Sequence, residues 1–216
     1  MIPSVRRAPA AVAVALLLVS CGAHQAGRAD GADPAGRSGR TTTAPARTAT
    51  TPSSRPSANT ARPLARSVPV GLRIPAIGVD TPVIRLGLAP DGSVQVPPVT
   101  AHDRAGWYRY SPTPGQTGPS VILAHVTVGA YGDGVFRHLA ELRRGDRIVA
   151  RLANGTAAVF TVTTVRTVAK AAFPTDAVYG EVDRPELRLI TCGGPRTGDG
   201  YLDNVIVFAA LTPASP

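Results

Sequence analysis

Arg147-Ile148-Val149-Ala150-Arg151-Leu152, then Ala153-Asn154-Gly155-Thr156, then Ala157-Ala158-Val159-Phe160-Thr161-Val162-Thr163-Thr164-Val165-Arg166-Thr167-Val168 is the stretch that decides the fold. Two runs rich in β-branched residues flank Asn-Gly, a dipeptide suited to a hairpin turn with positive φ. The rest of the chain from Val70 onward follows the same style. Short β-prone runs cover Gly71 to Ile74, Val79 to Leu86, Ser93 to Val96, Ser120 to Val126, Leu187 to Thr191 and Val205 to Leu211. Pro75, Gly78, Pro82 and Pro90-Asp91-Gly92 punctuate the first of them. A helix is expected only over Val135 to Arg143, with Phe136, Leu139, Ala140 and Leu142 on one side and Gly145 ending it. Seven or eight short strands with one short helix in roughly 150 residues define an all-β domain, a closed or nearly closed barrel.

Before that domain the composition changes. Residues Met1 to Arg66 hold nine arginines against Asp30 and Asp33, a net of +7, whereas Ser67 to Pro216 carry a net of only +2. The excess positive charge therefore belongs to the N-terminal third. A nucleic-acid-binding domain would carry its basic residues on the folded face, interleaved with aromatics. Here the folded part has mixed charge and a single tryptophan, so no nucleic-acid partner is expected.

The N-terminus joins Arg6-Arg7 to an apolar run from Ala8 to Val19. That is an export signal's pattern, too short for a span of about 20 residues. Leu18-Val19-Ser20-Cys21 resembles a bacterial lipobox, which makes Cys21 a lipidation candidate; ordinary cleavage or an uncleaved anchor are the alternatives. The expected organisation is a signal over residues 1–21, a disordered Ala/Gly/Arg/Thr/Pro-rich spacer over 22–68 and a folded domain over 69–213. From His24 to Arg66 the only large apolar residue is Leu64, too little to offset the entropy of ordering. The protein is thus expected on the outer face of a membrane, held there through its N-terminus.

If Cys21 is lipidated or removed, Cys192 is the one thiol left in an exported chain: an intermolecular link, a reactive site or a buried packing thiol. It ends the run Leu189-Ile190-Thr191-Cys192-Gly193-Gly194, as His125 ends Val121-Ile122-Leu123-Ala124-His125. Strand ends of a barrel are rigid and open onto loops, which suits a positioned nucleophile and its acid–base partner. Glycines after the thiol admit a substrate backbone and leave amide N–H groups for an oxyanion. The four histidines show no metal-ligand spacing, no phosphate-binding glycine motif is present, and no cofactor is indicated.

Leu72-Arg73-Ile74-Pro75-Ala76-Ile77-Gly78-Val79-Asp80, Ala124-His125-Val126, Leu189-Ile190-Thr191-Cys192-Gly193-Gly194 and Tyr201-Leu202-Asp203-Asn204-Val205-Ile206-Val207 together resemble the sortases. Cys-Gly-Gly and Tyr-x-Asp-Asn are most similar to the class F sortases of high-GC Gram-positive bacteria. The resemblance spans Val70 to Leu211 and implies a closed eight-stranded β-barrel with one or two short helices. It further implies a cysteine transpeptidase. Cys192 would cleave an LPxTG-like sorting signal through an acyl thioester, with His125 as acid and base. The acyl group would pass to an amine acceptor, a peptidoglycan precursor or a pilin lysine.

Three positions depart from the family pattern. Asn204 stands where a last-strand arginine is expected, and Arg196 is the second candidate for steadying the oxyanion, provided the Pro195-to-Gly200 loop folds back. Thr127 follows Val126 where aspartate is common, and Arg188 stands in place of a threonine. Thr191 is expected to support the cysteine by a local hydrogen bond. His102 and His138 read as structural or surface residues, and Trp107 with Tyr108 as packing. A non-catalytic wall-binding domain and a cysteine peptidase are the competing functions.

Overall fold

The computed structural model describes residues 61–198 and 200–213, so the signal, Cys21 and most of the spacer lie outside the described residues. Eight strands form the domain: β1 (Pro69–Ile74), β2 (Val79–Leu86), β3 (Ala105–Tyr108), β4 (Gly118–Leu123), β5 (Arg147–Leu152), β6 (Ala157–Ala169), β7 (Pro185–Thr197) and β8 (Gly200–Leu211). They close into one barrel in the order β1-β2-β3-β4-β7-β8-β6-β5. The β2/β3 and β4/β7 pairs are parallel and the others antiparallel.

The Asn-Gly turn joins β5 to β6 as expected. Gly155 adopts φ of 82°, and the Asn154 side-chain oxygen accepts the Thr156 N–H. Alternation then sorts side chains between two faces. Inside the barrel, Leu72, Trp107, Ile122, Phe136, Phe160 and Leu189 are almost wholly buried. Each such side chain contributes on the order of 1.5–3 kcal/mol by leaving water. Trp107 is core packing, its indole N–H donating to the Pro112 carbonyl. A second cluster of Leu86, Val121, Leu123, Val178, Ile190 and Ile206 lies on the other face of β2, β4, β7 and β8. Val178 reaches it from α1 (Thr175–Tyr179), a five-residue helix between β6 and β7.

Four local expectations need correction. The helix over Val135 to Arg143 is a series of turns with one 3₁₀ turn, Leu139–Glu141. Phe136, Leu139 and Leu142 are buried while Ala140 is exposed, so the apolar spacing is three, the period of a 3₁₀ turn. Ser93 to Val96 makes only an isolated bridge, Leu88 with Val94. Trp107 and Tyr108, expected only as packing residues, belong to the strand Ala105–Tyr108, and α1 has no counterpart in the sequence reading. Within the supposed spacer, Ala61 and Leu64 pack against the core, and the Leu64 N–H donates to the Gly115 carbonyl.

Candidate active site

The parallel β4/β7 pair runs in register to Leu123 opposite Ile190, and the Ala124 N–H still donates to the Ile190 carbonyl. Two residues further on, His125 lies just past the end of β4, while Cys192 lies within the adjoining β7, which runs on to Thr197 instead of ending at the thiol as expected. On its other flank Cys192 is paired directly with Asn204 of β8. Cys192 and Asn204 thus form one row across β7 and β8, with His125 just past the end of the neighbouring β4. Cys192 and Asn204 share the outer face of the sheet with Ile190 and Ile206, and His125, Cys192 and Asn204 are all half-buried. The thiol is free and reachable.

His125 is held at both ends. Its backbone carbonyl accepts the Phe136 N–H, and its ring Nε2–H donates to the Pro97 carbonyl at 2.6 Å. A carbonyl can only accept, so the neutral ring carries its proton on Nε2 and leaves Nδ1 as the acceptor. Gly134 permits this packing, because a Cβ there would collide with the His125 backbone. No sequence signal marks Pro97, since the group it supplies is a backbone carbonyl; the rigid Pro97-Pro98 pair is the sole hint.

Gly193 and Gly194 are required by close approach. A Cβ on Gly193 would lie 2.6 Å from a Val205 methyl. Gly194 combines φ of 70° with the Asp203 carboxylate lying where its Cβ would go. The two glycines thus let β8 close against the strand that carries the thiol. Thr191 points inward and is buried, and its hydroxyl has no hydrogen-bond partner among the described residues. The expected supporting bond is not formed.

Asn204 and Arg196 are separated by the strand geometry. The hairpin continues past the site, pairing Arg196 with Tyr201 and Thr197 with Gly200, so residues 195–200 do not fold back. An extra residue bulges β7 between Gly193 and Arg196, while β8 runs evenly from Asn204 to Tyr201. Three residues along a strand reverse the face. Tyr201 and its partner Arg196 thus point away from the side that carries Cys192. There the Arg196 guanidinium lies 5.9 Å from the Tyr201 ring centroid, and the Tyr201 hydroxyl meets Thr127 Oγ1 at 3.4 Å. Sequence reading noted Tyr201 within a motif but not this link to the histidine loop.

His102 stacks on Tyr131 at 4.4 Å, and His138 Nδ1 pairs with Glu141 at 2.7 Å, so both are engaged in local packing as expected. Among the described residues no group of His, Cys, Asp and Glu is arranged to hold a metal ion.

A free, half-buried thiol on β7 with a histidine just past the adjoining β4 suits acyl transfer through a cysteine. A family model described as "Sortase domain" matches residues 72–212. Among solved structures, sortase A from Corynebacterium diphtheriae is 19% identical, with a TM-score of 0.52, covering 70% of this chain and 64% of that one. Sortase C-1 from Actinomyces oris is 20% identical, with a TM-score of 0.52, covering 67% and 73%. Pilus-related sortase C of Group B Streptococcus is 18% identical, with a TM-score of 0.52, covering 69% of each chain. At these identities the structural likeness is one of fold. A search of curated proteins returned no match. The chain belongs to the sortase family, whose members are cysteine transpeptidases.

Proposed function

We propose that this protein is an extracytoplasmic transpeptidase that cleaves an LPxTG-like sorting signal and hands the acyl fragment to an amine. The observation that carries the reading is the cross-strand pair of Cys192 and Asn204, with His125 just past the end of β4, the strand that adjoins β7. The Cys192 thiol passes its proton to the free Nδ1 of His125, and the thiolate so formed attacks the carbonyl carbon of the Thr–Gly bond, forming a C–S bond and a tetrahedral oxyanion. Collapse breaks the C–N bond, and His125 gives its proton to the departing amine. An incoming amine then attacks the thioester and loses its proton to His125; the C–S bond breaks and the thiolate is restored. Asn204, on the Cys192 face, supplies an N–H donor for the oxyanion in place of the family's arginine.

The export signal and lipobox-like Cys21 support placement on the outer face of the membrane, with a wall precursor or a pilin lysine as acceptor. Class F membership rests on Cys-Gly-Gly and Tyr-x-Asp-Asn.

Incubation with a fluorogenic LPxTG-type peptide, with and without triglycine, tests the reaction. Mass spectrometry should show an acyl adduct on Cys192, released faster by triglycine. Cys192→Ala should abolish the adduct, and His125→Ala should keep peptide binding while losing most turnover. Absence of an adduct with every sorting peptide would leave the non-catalytic binding domain as the better reading. Release at full rate without amine would make the protein a peptidase.

A further inference from the structure

Arg188 lies on β7 four residues before Cys192 and faces the same side, yet it is only 3% exposed. A buried cation is costly unless it is paired and fully hydrogen-bonded. Its guanidinium meets Glu186 Oε2 at 2.5 Å and lies 4.6 Å from the Phe208 ring centroid. Glu186 is held in turn by Arg184 at 2.6 Å. The remaining donors reach the Leu187 carbonyl and, at 3.2 Å, the Ala177 carbonyl in the last turn of α1. Carbonyls there have no partner within the helix, and a five-residue helix has little stability of its own. A cation at its C-terminal end supplies both a donor and a favourable charge.

The segment so held forms one wall of a cavity of about 880 Å³, through Phe173, Thr175, Tyr179, Glu181 and Val182. Val121, paired with Arg188 across β4/β7, lines the same cavity. Val121 lies four residues before His125, about 13 Å at ~3.3 Å per residue. The cavity thus continues the face that carries the catalytic row, within reach of an extended peptide.

We propose that Arg188 is a positioning residue that fixes the Phe173–Val182 wall of the peptide groove by tying α1 to β7 and β8. Its planar fork meets Glu186 and the α1 carbonyl at once, which a lysine ammonium cannot match. Arg188 makes no contact with the reacting atoms, and its charge is committed to Glu186. The proposal rests on the transpeptidase reading for its kinetic arm alone.

The full-length protein and its Arg188→Met, Arg188→Lys and Arg184→Met variants would be compared by hydrogen–deuterium exchange and peptide kinetics. Arg188→Met should speed exchange within residues 173–182 and raise the peptide KM about tenfold, the loss of one charge-assisted hydrogen bond. Turnover and the rate of Cys192 alkylation should stay within about twofold. Arg188→Lys should fall between, and Arg184→Met, which touches Glu186 but not α1, should change neither reading. Unchanged exchange in Arg188→Met, or a fall in kcat at constant KM, overturns the proposal. So does an Arg184→Met variant that behaves like Arg188→Met. If Arg188→Met does not fold, Arg188→Lys decides by the same two readings. If no peptide is turned over, the transpeptidase reading fails while the exchange comparison still tests the clamp.

Discussion

Replacing Asn204 by alanine tests the site more sharply than removing the nucleophile. Asn204 is paired with Cys192, half-buried, and on the thiol's face of β8. Its amide is a neutral donor, weaker than a guanidinium, and loss of one such donor to an oxyanion costs about 2.7 kcal/mol, or ~10²-fold in kcat. Arg196 is exposed, lies beyond the β7 bulge, and is turned to the opposite face over Tyr201. Its truncation should lower the rate less than about threefold, the ordinary effect of a screened surface charge. The assay is kcat and KM for a fluorogenic sorting peptide, with iodoacetamide alkylation of Cys192 as a control for thiol access. Asn204→Ala should lower kcat about 10²-fold and leave alkylation unchanged, because the donor acts only once negative charge develops. Asn204→Asp should do worse, since a carboxylate repels the oxyanion. An Arg196→Ala variant that loses as much as Asn204→Ala would refute the face assignment, and no loss in either would refute the oxyanion account.

Leu189 is fully buried beneath the β4/β7 ladder, so Leu189→Ala should lower unfolding free energy by about 3 kcal/mol in urea titration; a loss under about 1 would contradict that packing. Gly194→Ala should be much less stable than Gly155→Ala. Both have positive φ, but the Asp203 carboxylate crowds the first and nothing lies within 4 Å of the second. Equal melting temperatures would mean that Asp203 moves freely aside. Burial pushes the Tyr179 phenol above its ordinary value, with Tyr108 adding to the effect. Its contribution to stability is therefore complete below the unfolded value, near pH ~10, and lost as pH rises through the raised folded value. Tyr179→Phe should flatten the alkaline fall in stability, and an unchanged slope would place the cause elsewhere.

Much of this protein is legible in local sequence. Alternation and the Asn154-Gly155 turn specify β5 and β6, because turn chemistry and side-chain period act within a few residues. The apolar run before His125 marks a strand end for the same reason, whereas β7 runs on past Cys192 to Thr197, because β8 stays paired with it. Where local signals are thin, the reading failed. Ala105–Tyr108 is a strand because β2 and β4 lie on either side of it, not because four residues demand it. The Phe136, Leu139 and Leu142 stripe fits a helix or a 3₁₀ turn until the carbonyl of His125 claims the Phe136 N–H.

The site divides in the same way. Sequence alone determined the thiol, the imidazole and the glycines that follow the thiol, each a matter of residue type at the end of an apolar run. Only tertiary structure decided that β4 lies parallel beside β7, so that His125 follows the end of the strand adjoining that of Cys192, and that β8 pairs Asn204 with Cys192. It also turned Arg196 away, bonded Pro97 to the histidine and buried Arg188 against α1. Those outcomes depend on register between strands distant in the chain. A one-residue shift there reverses a face without altering any local propensity.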